Sequence, residues 1–300
     1  MVQQIDPANP DPANCRSAKV VLGATLLMVL TVLGIGCTRE AEPRWLIKAL
    51  PGSYPEVVYF VPTRQRSIAL TIDDGLDAAT TPAILDVLQS HQVTATFFLV
   101  SNSLPGNESL VRRMLAEGHE IGHHMTRDRV TVSLPSDELA SRFTEAADAL
   151  EAFAPITWFR PGSARYNDQL LQLTRDRGYR IALASVAPLD TLIENPQRVA
   201  TYINWMVEPG SVVVLHDVDA RGRRTAQTLE ILLPMLQDRG YAVMSLGRLD
   251  AQAGQPGADS KSAIPSGIES RAIRQASGTD APEASAQQHI RSEKPVELMR

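Results

Sequence analysis

An α/β fold with a parallel sheet and crossover helices is predicted from three features of the sequence. Short β-rich apolar runs alternate with amphipathic segments across residues 67–249, and that alternation is the pattern of parallel strands joined by helices. Polar residues follow the apolar runs one after another, in the position where parallel α/β folds gather their chemistry. The composition changes on both flanks, which confines the core to the middle of the chain.

The amino-terminal flank opens with residues 1–19, read as a cytoplasmic segment. Residues 20–36 (VVLGATLLMVLTVLGIG) carry no charge and come near the shortest length that spans a bilayer. Arg16 and Lys19 stand just before them, so the positive-inside rule keeps the amino terminus in and sends the rest out. Residues 20–37 are read as a signal anchor, as a lipoprotein signal ending at Cys37, or as a cleaved signal peptide. For the lipoprotein reading the match is imperfect, because Gly34 stands where a leucine is usual. Each reading places the domain outside the cytoplasm. Residues 38–66 form a linker and leading segment.

Within 67–249, the strand-like runs are 67–72, 95–100, 120–122, 157–159, 179–184, 211–215 and 241–246. The helical patterns are 81–89, 108–117, 136–153, 168–177, 196–207 and 225–238. Pro82 suits a first helical turn, and Ser136 with Asp137 and Glu138 reads as a capped start. Six or seven units fit a barrel or an open doubly wound sheet equally well. Residues 250–300 hold no Phe, Trp or Tyr and are read as a disordered tail, since they cannot bury enough apolar surface to offset chain entropy.

Composition excludes some functions. With 29 Lys+Arg against 34 Asp+Glu, a net charge of −5 and no long basic run, the chain is not a nucleic-acid binder. The two cysteines, Cys15 and Cys37, both precede the domain, so it holds neither a disulfide framework nor a cysteine zinc site.

The strand ends carry the chemistry. Asp73-Asp74-Gly75 follows the first run, and two adjacent carboxylates there point in different directions. One can hold a metal while the other faces a substrate water; a plain Asx turn is the bland alternative. His124 and Asp128 lie four apart, a spacing that shares one face of a helical turn and can grip one cation. His123 is the other ligand choice, but its own partner at four residues is Arg127, a cation. His119 suits packing or a backbone hydrogen bond, and His91 and His289 read as solvent-facing. Arg160 follows the fourth run ahead of Pro161-Gly162, and Asp190 ends the loop after the fifth. His216 stands at the mouth of a fully apolar strand, where it can shuttle protons near neutral pH.

These motifs resemble the polysaccharide deacetylases with the NodB homology domain, carbohydrate esterase family 4. The resemblance rests on TIDDG at 71–75, ATFFLV at 95–100, GHEIGHH at 118–124, FRPG at 159–162, VVVLHD at 212–217 and the closing RT…LLPML…RGYAVMSL over 224–246. It implies a distorted (β/α) barrel of about seven parallel strands and a metal-dependent hydrolase that removes acetyl groups from sugar polymers. By that resemblance Asp73 is the catalytic base, Arg160 the arginine that holds it, His216 the general acid and Asp190 the residue that tunes it. Asp74 and His124 match metal ligands. The second metal histidine falls at position 128, here Asp128, which gives a harder site. That site suits zinc, and is relatively more open to manganese, cobalt or iron.

Two further departures concern the substrate pocket. Pro188, Leu189 and Thr191 flank Asp190 where a tryptophan is frequent, and Gly162-Ser163 follows Arg160-Pro161 where a tyrosine is usual. The expected substrate is an acetylated cell-wall or extracellular polysaccharide, with membrane contact through the amino-terminal segment. Two alternatives are a catalytically degenerate carbohydrate-binding module and an amide hydrolase acting on a small non-sugar substrate.

Overall fold

The computed structural model describes residues 54–128 and 130–254. The apolar run at 20–36, the segments around it and the tail from 255 onward lie outside the described residues, as does His289. Among the described residues no helix is long and apolar enough to cross a membrane.

Among the described residues, eight strands form one sheet: β1 (Val57–Val58), β2 (Ser67–Asp74), β3 (Thr96–Leu99), β4 (Glu120–His123), β5 (Trp158–Phe159), β6 (Arg180–Ala182), β7 (Val212–His216) and β8 (Ala242–Met244). Their order is β1-β6-β5-β4-β3-β2-β7, with β8 paired to the start of β2, and every ladder is parallel. Among the described residues, seven α-helices accompany them: α1 (Thr81–Ser90), α2 (Glu108–Ala116), α3 (Ser136–Glu151), α4 (Asp168–Asp176), α5 (Pro196–Met206), α6 (Asp219–Asp238) and α7 (Leu246–Ala253). The expected barrel is not a ring of continuous ladders. The path of paired strands is open, with β1 and β7 at its ends, and single bridges from Phe60 and Val186 reach Ser211 and Val213.

Strand alternation sorts β2 into two faces. Ile68, Leu70 and Ile72 join the large core that packs under the helices, whereas Ala69 joins a smaller one with Val58, Phe98, Trp158, Ala182, Val212, Leu246 and Leu249. Burying each of those branched side chains on β2 is worth about 1.5–3 kcal/mol. Gly122 on β4 makes room for Phe98, because a Cβ there would stand 2.7 Å from the Phe98 ring. The same alternation puts Thr71 and Asp73 on the Ala69 side of β2, which aims them at the arginine described below.

Helix starts follow local chemistry in part. The side chains of Asn167, Asn195 and Ser245 accept from the backbone N–H of Leu170, Arg198 and Arg248, each cap being worth about 1 kcal/mol. Pro82 sits in the first turn of α1 as expected. Ser136 does not cap α3: it is the first helical residue, and Pro135 occupies the cap position.

Three differences from the sequence reading have physical causes. Residues ahead of Ser67 do enter the core, since Val58 and Val61 are buried and β1 pairs with β6; a two-residue strand leaves too little periodicity to read. The last apolar run is strand only over Ala242–Met244. It turns into α7, which carries buried Leu246 and Leu249 and runs past residue 249 into the expected tail. Finally, α6 begins at Asp219, ahead of the expected start at Thr225. Gly222 and a left-handed Asp219 look like loop, but tertiary contacts recruit the extra turn.

Candidate active site

The carboxyl ends of β2, β4, β5 and β7 bring together Asp73, Asp74, His124, Arg160 and His216, with Asp190 reaching in from the loop after β6. Asp73 and His216 are direct register partners across β2 and β7. Asp74 breaks the strand's alternation. Its φ is +77°, a left-handed backbone that costs a non-glycine residue energy.

Arg160 organises Asp73. Its Nη1 donates to Asp73 Oδ1 at 2.6 Å and to Thr71 Oγ1 at 2.7 Å, while Nε donates to the Ala182 carbonyl at 3.0 Å. The guanidinium lies 4.1 Å from the centre of the Phe98 ring. Arg160 and Asp73 are both buried. Burial lowers the Arg160 pKa, and the Asp73 charge works against that shift.

His124 is fixed through one nitrogen and open through the other. Its Nδ1 bonds the Arg160 carbonyl at 2.6 Å, which leaves Nε2 facing Asp74 Oδ1 at 3.6 Å. Asp74 Oδ1 is a buried oxygen with no hydrogen-bond partner among the described residues. Asp128 Oδ1 stands 3.9 Å from His124 Nε2, on a side chain 50% exposed. One ligand atom from each of Asp74, His124 and Asp128 lies within 4.8 Å of the others, so a divalent cation fits this set. The route to Asp128 differs from the expected helical turn. The chain bends after β4 with Met125 left-handed at φ +66°, and the bend carries Asp128 back to His124.

Charges at the site reinforce one another. Burial disfavours a cationic His124, yet Asp74 and Asp73 raise its pKa. Burial likewise opposes ionised Asp74, but His124, His216 and Arg221 lower it. His216 Nδ1 is 2.9 Å from Asp190 Oδ1, and the His216 backbone N–H donates to Asp190 Oδ2 at 3.0 Å. Desolvation works against the imidazolium; Asp190, with Asp73 and Asp74 beyond it, prevails and pushes His216 up to about 9. Leu189, left-handed at φ +55°, sets the turn that delivers Asp190.

His123 is not at the site. It is buried against Phe143, Phe159 and Tyr179; its Nε2 donates to the Phe143 carbonyl at 3.0 Å and its Nδ1 accepts from Met125 N–H at 3.3 Å. That tautomer is neutral, and burial pushes its pKa down to about 4. His119 accepts the Ala95 N–H on Nδ1 and packs edge-on to Phe97, the packing role expected of it.

Three residues escaped the sequence reading. Thr71 shares Arg160 with Asp73. Asp217, fully buried, accepts the hydroxyls of Thr80 and Thr81 at 2.6 and 2.5 Å and so ties β7 to the start of α1. Arg221, in the first turn of α6, donates from Nη1 to Asp74 Oδ2 at 3.3 Å. The HD pair at 216–217 is a visible signal for Asp217, whereas nothing in the sequence marks Arg221.

A polysaccharide deacetylase family model matches residues 60–182. A peptidoglycan-N-acetylglucosamine deacetylase of Bacillus cereus is 31% identical over 198 residues, covering 64% of this chain and 92% of that protein. A chitooligosaccharide deacetylase of a Bradyrhizobium species is 33% identical over 199 residues, covering 61% and 90%. Among solved structures, a peptidoglycan N-acetylglucosamine deacetylase superimposes with a TM-score of 0.61 at 26% identity, over 65% of this chain and 92% of that one. A family pseudoenzyme mutant with restored enzymatic activity gives a TM-score of 0.60 at 25% identity, over 65% and 71%. Similarity thus extends over nine-tenths of two named deacetylases. The chain belongs to the polysaccharide deacetylase family.

Proposed function

We propose that this protein is a metal-dependent hydrolase that removes acetyl groups from N-acetylated, or O-acetylated, cell-wall or extracellular polysaccharide. One observation carries the reading. A base carboxylate held by a buried arginine, an imidazolium held by a carboxylate, and an Asp-His-Asp ligand set share one mouth of the sheet.

Asp74, His124 and Asp128 would hold the cation. Bound there, it would supply a Lewis acid toward the acetyl carbonyl and the attacking water. Asp73, oriented by Arg160, takes the proton of that water. The backbone N–H of Ser163, in the left-handed turn after Pro161, is assigned to the developing oxyanion. His216, cationic beside Asp190, gives its proton to the leaving amine nitrogen. An amide needs that protonation because an amide anion is a poor leaving group. Acetate and a free amino sugar result.

The peptidoglycan and chitooligosaccharide activities named for the relatives favour an N-acetylated glycan as substrate. The charge-free run at 20–36 with Arg16 and Lys19 ahead of it supports an extracytoplasmic place, anchored or secreted. Purified chain, stripped of metal and then reloaded with zinc, manganese, cobalt or iron in turn, is assayed for acetate release from a panel of acetylated glycans. Metal-dependent release supports the reading, and no release with any metal overturns it.

A degenerate carbohydrate-binding module is the second reading, and the half-exposed Asp128 favours it. Glycan binding without acetate release would establish that instead.

A further inference from the structure

The ligand set carries more negative charge than the family's pattern, and a cation sits against it. Two carboxylates, Asp74 and Asp128, neutralise a divalent ion outright, whereas the resemblance pairs one carboxylate with two neutral histidines. Arg221 Nη1 lies 3.3 Å from Asp74 Oδ2. The other oxygen, Oδ1, is the buried and unpartnered one facing His124. The carboxylate is thus divided, with Oδ2 held by Arg221 and Oδ1 left for an ion.

Arg221 is itself placed by packing. Gly222 brings the first turn of α6 so close to the start of α1 that a Cβ at 222 would lie 2.4 Å from Asp217 Oδ1 and Thr80 Oγ1. The Asp219 backbone N–H also donates to Asp77 Oδ2 at 3.0 Å. The contact is therefore built by the fold, because the turn that bears Arg221 is anchored independently of Asp74.

We propose that Arg221 is a positioning residue of the metal site, whose charge offsets the second carboxylate and keeps the Asp-His-Asp set as electron-poor as a set with one carboxylate. An arginine beside Asp74 makes that carboxylate a weaker donor and leaves one unit of positive charge around a bound ion. Arg221 thus gives up some metal affinity and keeps the ion acidic. The inference rests on the metal-dependent reading above.

The test uses the full chain, metal-free, titrated with zinc and with manganese against a chromophoric chelator. Arg221→Gln binds both ions about tenfold tighter than the parent, the scale of one partly screened charge. At saturating metal its kcat falls with KM little changed. Arg221→Lys keeps the charge and stays close to the parent in both measurements. A residue that merely braced Asp74 would do the opposite, since its loss would weaken metal binding. Arg221→Gln binding no tighter than the parent overturns the inference, as does Arg221→Lys tightening as much as Arg221→Gln. A parent chain that binds neither ion overturns the metal reading itself, and this inference with it.

Discussion

Arg160 serves both His124 and Asp73: its carbonyl fixes His124 Nδ1 at 2.6 Å while its guanidinium holds Asp73 Oδ1 at 2.6 Å. One residue therefore sets the tautomer of His124 and the orientation of the Asp73 carboxylate. The two functions separate by mutation, because the carbonyl survives any substitution and the guanidinium does not. Arg160→Met leaves Asp73 buried without its counter-charge. Stability falls by roughly 3–5 kcal/mol, the cost of a buried charge stripped of its partner. Activity falls on the order of a hundredfold or more. Metal binding through His124 changes far less. Thermal melts, acetate release and metal titration of one preparation check all three.

Asp128 is the residue on which the metal reading turns. Its half-exposed carboxylate lies 3.9 Å from His124 Nε2, and Asp128→Ala reduces a three-ligand set to two. Metal binding by the stripped chain is expected to weaken by at least tenfold, and activity with it. Asp128→His restores a nitrogen ligand and shifts preference from manganese towards zinc. Unchanged affinity in Asp128→Ala would make Asp128 a bystander, and His123 could not replace it, since both its nitrogens are engaged inside the core.

The pH dependence follows from His216. Its folded pKa, about 9, lies above the ordinary histidine value of 6.5. The stabilisation it confers is complete below 6.5 and is lost as pH rises through about 9. Asp190→Asn removes the main upward influence, so the imidazole of the metal-free chain titrates at lower pH. NMR of that imidazole checks the shift directly. In the loaded enzyme the alkaline limb of kcat/KM moves to lower pH in the same variant, as expected for an acid that must be protonated.

Gly222 offers a test of packing. Gly222→Ala forces a methyl group against Asp217 and Thr80 at 2.4 Å, and overpacking at such a contact costs about 1–3 kcal/mol. Because α6 must shift, Arg221 moves from Asp74 as well. Denaturant unfolding should show the loss. Gly240→Ala, where nothing lies within 4 Å of the added methyl but φ is +73°, should lose less, about 1 kcal/mol from backbone strain alone.

The sequence alone determined the parallel α/β order of the middle of the chain, because short apolar runs alternate there with amphipathic segments and the runs of β2, β4, β5 and β7 are followed directly by polar residues. Asp73, Asp74, His124, Arg160 and His216 were legible for that reason: placement after a strand is a local property. Asp190 needed the family pattern as well, since its loop has no periodicity. Tertiary structure decided what depends on partners distant in sequence. Val57–Val58 becomes a strand only through β6, and 219–224 becomes helix only because Gly222 and Asp219 meet α1 and the loop before it. His123 and His124 are neighbours in sequence and opposites in role; strand alternation turns the first into the Phe143 cluster and leaves the second facing Asp74. Arg221 is 147 residues from Asp74, and no local pattern encodes a contact that exists only once two helix starts are packed together.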